Sequence, residues 1–156
     1  MDIKLKDKKL FKEKMKIINL NFEETFKELF GGGEARIKLE DENNILECGI
    51  DINVQPPGKK LQNMMLLSGG EKAFTAIALL FAILKINPAP FCVLDEIEAA
   101  LDDVNVYRFA EYLKKFSKEN KKVCIVVDTK EKAIKIKKLL EENNITAIFQ
   151  EKLNQT

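Results

Sequence analysis

Four consecutive apolar residues, Phe91-Cys92-Val93-Leu94, stand between Pro90 and two adjacent acids, Asp95-Glu96. A short continuous apolar run bounded in this way reads as a β-strand buried on both faces. Such a strand needs helices over both of its faces, and its neighbours supply them. Upstream, Ser68-Gly69-Gly70-Glu71 opens a long apolar helix that runs to near Ile86 and is stopped by Pro88 and Pro90. Downstream, the pattern predicts a helix from about Val104 to Glu119, a second buried strand over Val123–Val127, a helix over Glu131–Glu142 and a short strand over Thr146–Phe149. Strand and helix alternate, so the expected fold class is α/β, a mostly parallel sheet flanked by helices.

The first third of the chain follows other periods. Phe11, Met15, Ile18, Phe22, Phe26 and Leu29 recur at spacings of three and four, with lysine and glutamate between them, which predicts one helix over residues 3–29. A charged helix with such a stripe fits a coiled-coil stump or a helix lying on a domain. Gly31-Gly32-Gly33 ends it, because glycine suits helix termination and tight turns. Alternation then takes over: Ala35, Ile37 and Leu39, turn residues from Asp41 to Asn44, then Ile50, Ile52 and Val54. This predicts a β-hairpin. Pro56-Pro57-Gly58 forces a loop after it.

Composition excludes several classes of function. The chain has 156 residues, 46% of them apolar, enough for one domain with a real core. Charged residues make up 33%, yet the net charge is only +1, which argues against a uniformly basic nucleic-acid glove and leaves room for a local basic face. There is no histidine, so Ser-His-Asp catalysis and histidine metal sites are excluded. Cys48, Cys92 and Cys124 are scattered and read as thiols of a reducing compartment. The start of the sequence has no apolar signal core, and the longest apolar stretch, Phe74–Leu84, is too short to span a bilayer. A soluble, cytoplasmic protein without a membrane partner is expected. The lysines at 114, 115, 118, 121 and 122, and at 132, 135, 137 and 138, read as solvated faces, and Phe109, Tyr112 and Phe116 as core.

Two features carry chemistry. In Leu67-Ser68-Gly69-Gly70-Glu71-Lys72, a helix N-terminus offers unpaired N–H groups and partial positive charge, two glycines let a phosphate approach the backbone, and Ser68 adds a hydroxyl donor. Taken alone, the same residues read as a serine N-cap. In Phe91–Glu96, a buried strand ends in two carboxylates at the edge where ligands of α/β sheets bind. Asp95 could hold Mg²⁺ through water, and Glu96 could accept a proton from an attacking water. Taken alone, they read as two solvated acids.

The order of these features, followed by Ala99-Ala100-Leu101-Asp102, resembles the signature motif, Walker B strand and D-loop of ABC-type ATPases. Longer stretches are similar to the C-terminal head lobe of bacterial SMC (structural maintenance of chromosomes) proteins: Phe26–Ala35, Gln55–Asn63, Leu66–Leu84 and Pro90–Tyr112. The likeness runs from about Phe11 to Val127. It implies that Leu67, Ser68, Gly69, Gly70, Glu71 and Lys72 form the ATP-binding segment, with Ser68 to Glu71 on the γ-phosphate of ATP held by a partner head. Asp95 would place Mg²⁺, Glu96 would be the catalytic base, and Asp102 would communicate across the head–head interface. Residues 1–30 would be the stump of the returning coiled coil, and residues 31–156 the C-terminal half of the head. The implied partners are an N-terminal head lobe, a second head joined through ATP, a kleisin, and DNA in the full complex. The implied setting is the nucleoid, in chromosome condensation and segregation.

The chain departs from the family in two places. A phosphate loop needs G-x-x-x-x-G-K-[ST]. Gly58-Lys59-Lys60 fails that pattern, because residue 53 is asparagine and residue 60 is lysine, so ATP hydrolysis is expected only with an N-terminal lobe and not from the chain alone. The strand Val123–Val127 leads to Asp128-Thr129 where the family has a threonine-histidine switch, and residues 128–156 form an atypical tail where part of the kleisin surface would lie. Two alternatives follow: a non-catalytic structural module derived from an SMC head, or the lobe of a DNA-repair ABC ATPase. The Gln55–Asn63 segment favours SMC over the latter.

Overall fold

A computed structural model describes residues 3–42, 44–45, 47–87, 91–95, 101–117 and 122–126, together with Ile134, Lys137, Lys138 and Glu141. The chain divides into two compact units, Met1–Pro88 and Ala89–Thr156. The division drawn from the sequence separated residues 1–30 from 31–156 instead.

In the first unit, helix α1 spans Ile3–Phe30. Its end is set by glycine. Gly31 sits at φ +74°, and the Gly32 N–H donates to the Lys27 carbonyl over 2.9 Å, the long bond of a Schellman closure. No side chain from residue 7 to 20 is buried, whereas Phe22, Thr25, Phe26 and Leu29 have no exposure. From Phe22 onward α1 is therefore a core helix. It packs on β1 (Glu34–Leu39) and on α2 (Gly69–Ile86). Phe26 stacks on Phe30 with centroids 4.1 Å apart, and Phe30 meets Phe74 of α2 at 4.9 Å. Each such ring contributes about 1.5–3 kcal/mol by leaving water. At the crossing, Asn21 Nδ2 donates to the Ala82 carbonyl (3.2 Å), and Lys85 pairs with Glu24 (3.0 Å).

The expected hairpin is present. β1 and β2 (Ile50–Gln55) pair antiparallel, with Ala35 opposite Val54, Ile37 opposite Ile52 and Leu39 opposite Ile50, so the alternating apolar residues share one face. A third strand, β3 (Gln62–Asn63), pairs antiparallel with β2. The sequence reading had only a loop there. On the far side of β1, the Asn19 side chain of α1 pairs twice with the backbone of one residue. Its Nδ2 donates to the Ile37 carbonyl (2.9 Å), and its Oδ1 accepts the Ile37 N–H (2.6 Å). The amide thus imitates a neighbouring strand and satisfies an edge that would otherwise expose unpaired groups.

In the second unit, β4 (Phe91–Asp95), α3 (Asp103–Ser117) and β5 (Lys122–Val126) follow in order, and β4 and β5 pair in parallel. Phe109, Tyr112 and Phe116 of α3 are buried, as core residues should be. Helical backbone recurs at Ile134, Lys137, Lys138 and Glu141, and Lys137 and Glu141 form an ion pair one turn apart (3.6 Å). The expected strand at 146–149 lies outside the described residues. The sheet differs from expectation: among the described residues, the larger sheet is antiparallel and only β4 and β5 are parallel. The connections between residues 34 and 63 are too short for a crossover helix, whereas α3 provides one between β4 and β5. No helix among the described residues is long and apolar enough to cross a membrane.

Candidate functional site

The loop into α2 is held from several sides. Lys59 N–H donates to the Pro56 carbonyl (3.0 Å), with Pro57 and Gly58 (φ +78°) at the two centre positions of the turn, an arrangement suited to type II. After β3, Asn63 ties two elements together: Nδ2 donates to Asp51 on β2 (3.0 Å), and Oδ1 accepts the Met65 N–H (2.9 Å), starting a 3-10 turn over Met64–Leu66. Leu67 is buried and anchors the turn, so its side chain faces the core while the following residues face solvent.

Ser68 is the extended N-cap of α2, with Gly69, Gly70 and Glu71 as the first three helical residues. The Lys72 N–H closes the first turn on the Ser68 carbonyl (2.9 Å). Glu71 turns back on the cap: its Oε2 accepts the Ser68 Oγ–H at 2.8 Å and the Ser68 N–H at 3.3 Å. Lys59 Nζ lies 2.8 Å from Oε1 and 2.9 Å from Oε2 of the same carboxylate. The Lys59 ammonium, and after it the Ser68 donors, hold the Glu71 carboxyl below its ordinary range against the opposing effect of burial. A Cβ built at Gly69 meets nothing within 4 Å, and the residue needs no positive φ. The fold therefore does not demand glycine at position 69. An exposed helix N-terminus with open space beside its first residue fits a phosphate group.

The second unit carries the remaining expected residues. Asp95 is the last residue of β4, opposite Val126 at the end of β5, at the carboxyl edge of the parallel pair. Its side chain, with Glu96, Asp128 and Thr129, lies outside what is described. Asp102 is exposed and caps α3: its Oδ1 accepts the Asn105 N–H (2.8 Å) and its carbonyl the Val106 N–H (2.9 Å). No cluster of three potential metal ligands occurs among the described residues.

Sequence reasoning missed Lys59 and Asn63 as parts of the site. Gly58-Lys59-Lys60 reads in the sequence as a failed phosphate loop and as part of the SMC-like segment Gln55–Asn63, with no role for Lys59 at Ser68. The structure instead brings Lys59 to the signature-like segment through a turn that Pro57-Gly58 announces.

A two-unit α/β protein, with open space beside an exposed helix N-terminus and an acid at the carboxyl edge of a parallel strand pair, is of the class to which nucleotide-binding heads belong. The family described as RecF/RecN/SMC N terminal domain matches residues 3–152, and the chain belongs to that family. Over 151 residues it is 49% identical to the Chromosome partition protein Smc of Bacillus subtilis (strain 168), covering 95% of this chain and 13% of that protein. The chain thus spans about an eighth of the length of that relative. Its fold matches solved SMC heads. One, from work on ATP-driven dimerization and DNA-stimulated activation of SMC ATPases, has a TM-score of 0.73 and 38% identity, covering 87% of this chain and 77% of that one. Another, the Smc head with an extended coiled coil bound to the C-terminal domain of ScpA, from Pyrococcus furiosus, has a TM-score of 0.71 and 38% identity, covering 88% of this chain and 32% of that one.

Proposed function

We propose that this chain is the C-terminal half of an SMC-type ATPase head acting in chromosome partition, and that it supplies the Asp95-Glu96 pair to an ATP site completed by an N-terminal lobe and the signature segment to the ATP of a second head. The arrangement at the start of α2 carries the reading: an exposed serine cap, open space at Gly69 and a paired Glu71. The matching family is described by an N terminal domain, but two sequence features favour the C-terminal half. No G-x-x-x-x-G-K-[ST] occurs in the 156 residues, and Ser68–Glu71 precedes Asp95-Glu96 and Asp102 in the order of signature, Walker B and D-loop.

In this reading, an N-terminal lobe with a phosphate loop binds ATP, and the Ser68 segment closes on the γ-phosphate of ATP held by a second head. The α2 N–H groups and the Ser68 hydroxyl stabilise charge on the transferring phosphoryl oxygens. Glu96 takes the proton of the attacking water. Mg²⁺, held beside Asp95, would supply charge neutralisation at the phosphates. Further partners are DNA and a kleisin, the latter supported by the likeness to a head solved with ScpA. The setting is the cytoplasmic nucleoid, and residues 3–20 of α1 continue into the coiled coil.

The test is ATP hydrolysis by the chain alone and joined to the N-terminal lobe. Activity is expected only in the joined form, and Glu96→Gln is expected to lower turnover by roughly 10²–10⁴-fold while leaving ATP-bound heads together. Unchanged turnover in that variant would refute the assignment of Glu96.

A further inference from the structure

The signature-like segment is tethered by a residue outside it. Ser68 has one O–H to donate, and here it is spent on Glu71. A phosphate bound at the α2 N-terminus draws on that same hydroxyl, so the Glu71 carboxylate must release it. The carboxylate then stands close to a multiply charged anion with one donor fewer. Left uncompensated, it would repel the phosphate and compete for the hydroxyl. Lys59 meets both needs. Its ammonium reaches both carboxylate oxygens (2.8 and 2.9 Å), so Glu71 stays paired whichever way the serine turns. The lysine stem leaves a turn fixed by Pro57 and the positive φ of Gly58, which limits what is lost in ordering it. Glu71 is largely shielded while Lys59 is half exposed, so the pair lies at the surface beside the α2 N-terminus.

We propose that Lys59 is a positioning residue for the γ-phosphate site: by holding the Glu71 carboxylate, it frees the Ser68 hydroxyl for phosphate and cancels the one negative charge on the signature helix that faces the ligand. This rests on the reading of Ser68–Glu71 as the γ-phosphate segment.

The experiment uses the chain joined to its N-terminal lobe and measures steady-state ATP hydrolysis. Lys59→Met is expected to raise KM for ATP about tenfold, the scale of one lost charge-assisted hydrogen bond, with kcat changed less than twofold. Lys59→Arg is expected to restore the unmodified KM. Adding Glu71→Gln to Lys59→Met is expected to recover most of the affinity, because the uncompensated charge is gone, and a merely structural loosening of the loop would show no such recovery. An unaltered KM in Lys59→Met, or a defect that persists when Glu71 is also replaced, would overturn the inference while leaving the functional reading intact. A joined, unmodified head that neither binds nor hydrolyses ATP would overturn both.

Discussion

Replacing Gly33 by alanine tests the join between α1 and the β-sheet. Gly33 has φ +91°, outside the range that L side chains adopt comfortably, which costs about 1–3 kcal/mol. A Cβ there would also fall on the Gln55 carbonyl oxygen, and would lie 3.2 Å from the Phe26 ring. The Gln55 oxygen is backbone and cannot rotate away, so the Glu34–Gln55 end of the β1–β2 ladder must open, losing one or two hydrogen bonds at about 1 kcal/mol each. Phe26 has no exposure and is stacked on Phe30, so the ring has little room to yield. The sum is about 2–5 kcal/mol. Gly31→Ala is the control. It also has positive φ (+74°), but a Cβ there meets nothing within 4 Å, so only the backbone term of about 1–2 kcal/mol remains. Thermal unfolding followed by circular dichroism separates the two, since 1 kcal/mol shifts Tm by about 2–4 °C in a chain of this size. Gly31→Ala should lower Tm by a few degrees and Gly33→Ala by roughly 10 °C, at about 3 °C per kcal/mol. Equal shifts would show that the close approach to Gln55 does not govern this position.

Asp102→Ala should cost about 1 kcal/mol in urea unfolding through loss of the α3 cap, and Asp102→Asn much less; equal losses would point away from capping. Asn19→Ala leaves both backbone polar groups of Ile37 without their side-chain amide partner, and should cost about 1–3 kcal/mol while speeding hydrogen exchange at Ile37 more than at other β1 amides. The Glu71 carboxyl titrates below its ordinary value of 4.5, so its pairing stabilises the fold above that pH and is lost as pH falls through the lowered value. The stability gap between the unmodified chain and Glu71→Gln should therefore shrink on acidification from pH 7 toward about 3. A gap that widens in acid would reverse the sign of this argument.

Much of the fold was legible because its signals are local. The spacing from Phe11 to Leu29 and the glycine run predicted α1 to within a residue of its end at Phe30. Alternation gave the hairpin and its shared face, and Ser68 with Pro88 bracketed α2. What was not legible depends on distant partners. β3 is two polar residues whose strand geometry comes from pairing with Asn53 and Val54. Asn19 looks like any polar helix residue until β1 lies beside it. Lys59 reads as one of many lysines until the turn carries it to Glu71, twelve residues on. The expectation of a mostly parallel sheet extended the pattern around Phe91–Leu94 to the whole chain, although the antiparallel hairpin had its own signature. Ser68 was legible as the residue that opens α2, but the carboxylate occupying its hydroxyl was not.

Helix α1 has neither glycine nor proline between Ile3 and Phe30, so at 1.5 Å per residue it is an unjointed rod of about 42 Å. Its inner end is cast into the core, with Phe30 against Phe74, six residues from Ser68 along α2. Its outer half carries no buried side chain before Phe22 among the described residues. A rod set in this way acts as a lever. A sideways load on its outer half is delivered as torque to the Phe26–Phe30–Phe74 bearing, and so to α2, the helix that Ser68 caps. With neither glycine nor proline along the rod to absorb the motion, a load on the outer half is carried inward to the contacts that α1 makes with β1 and α2.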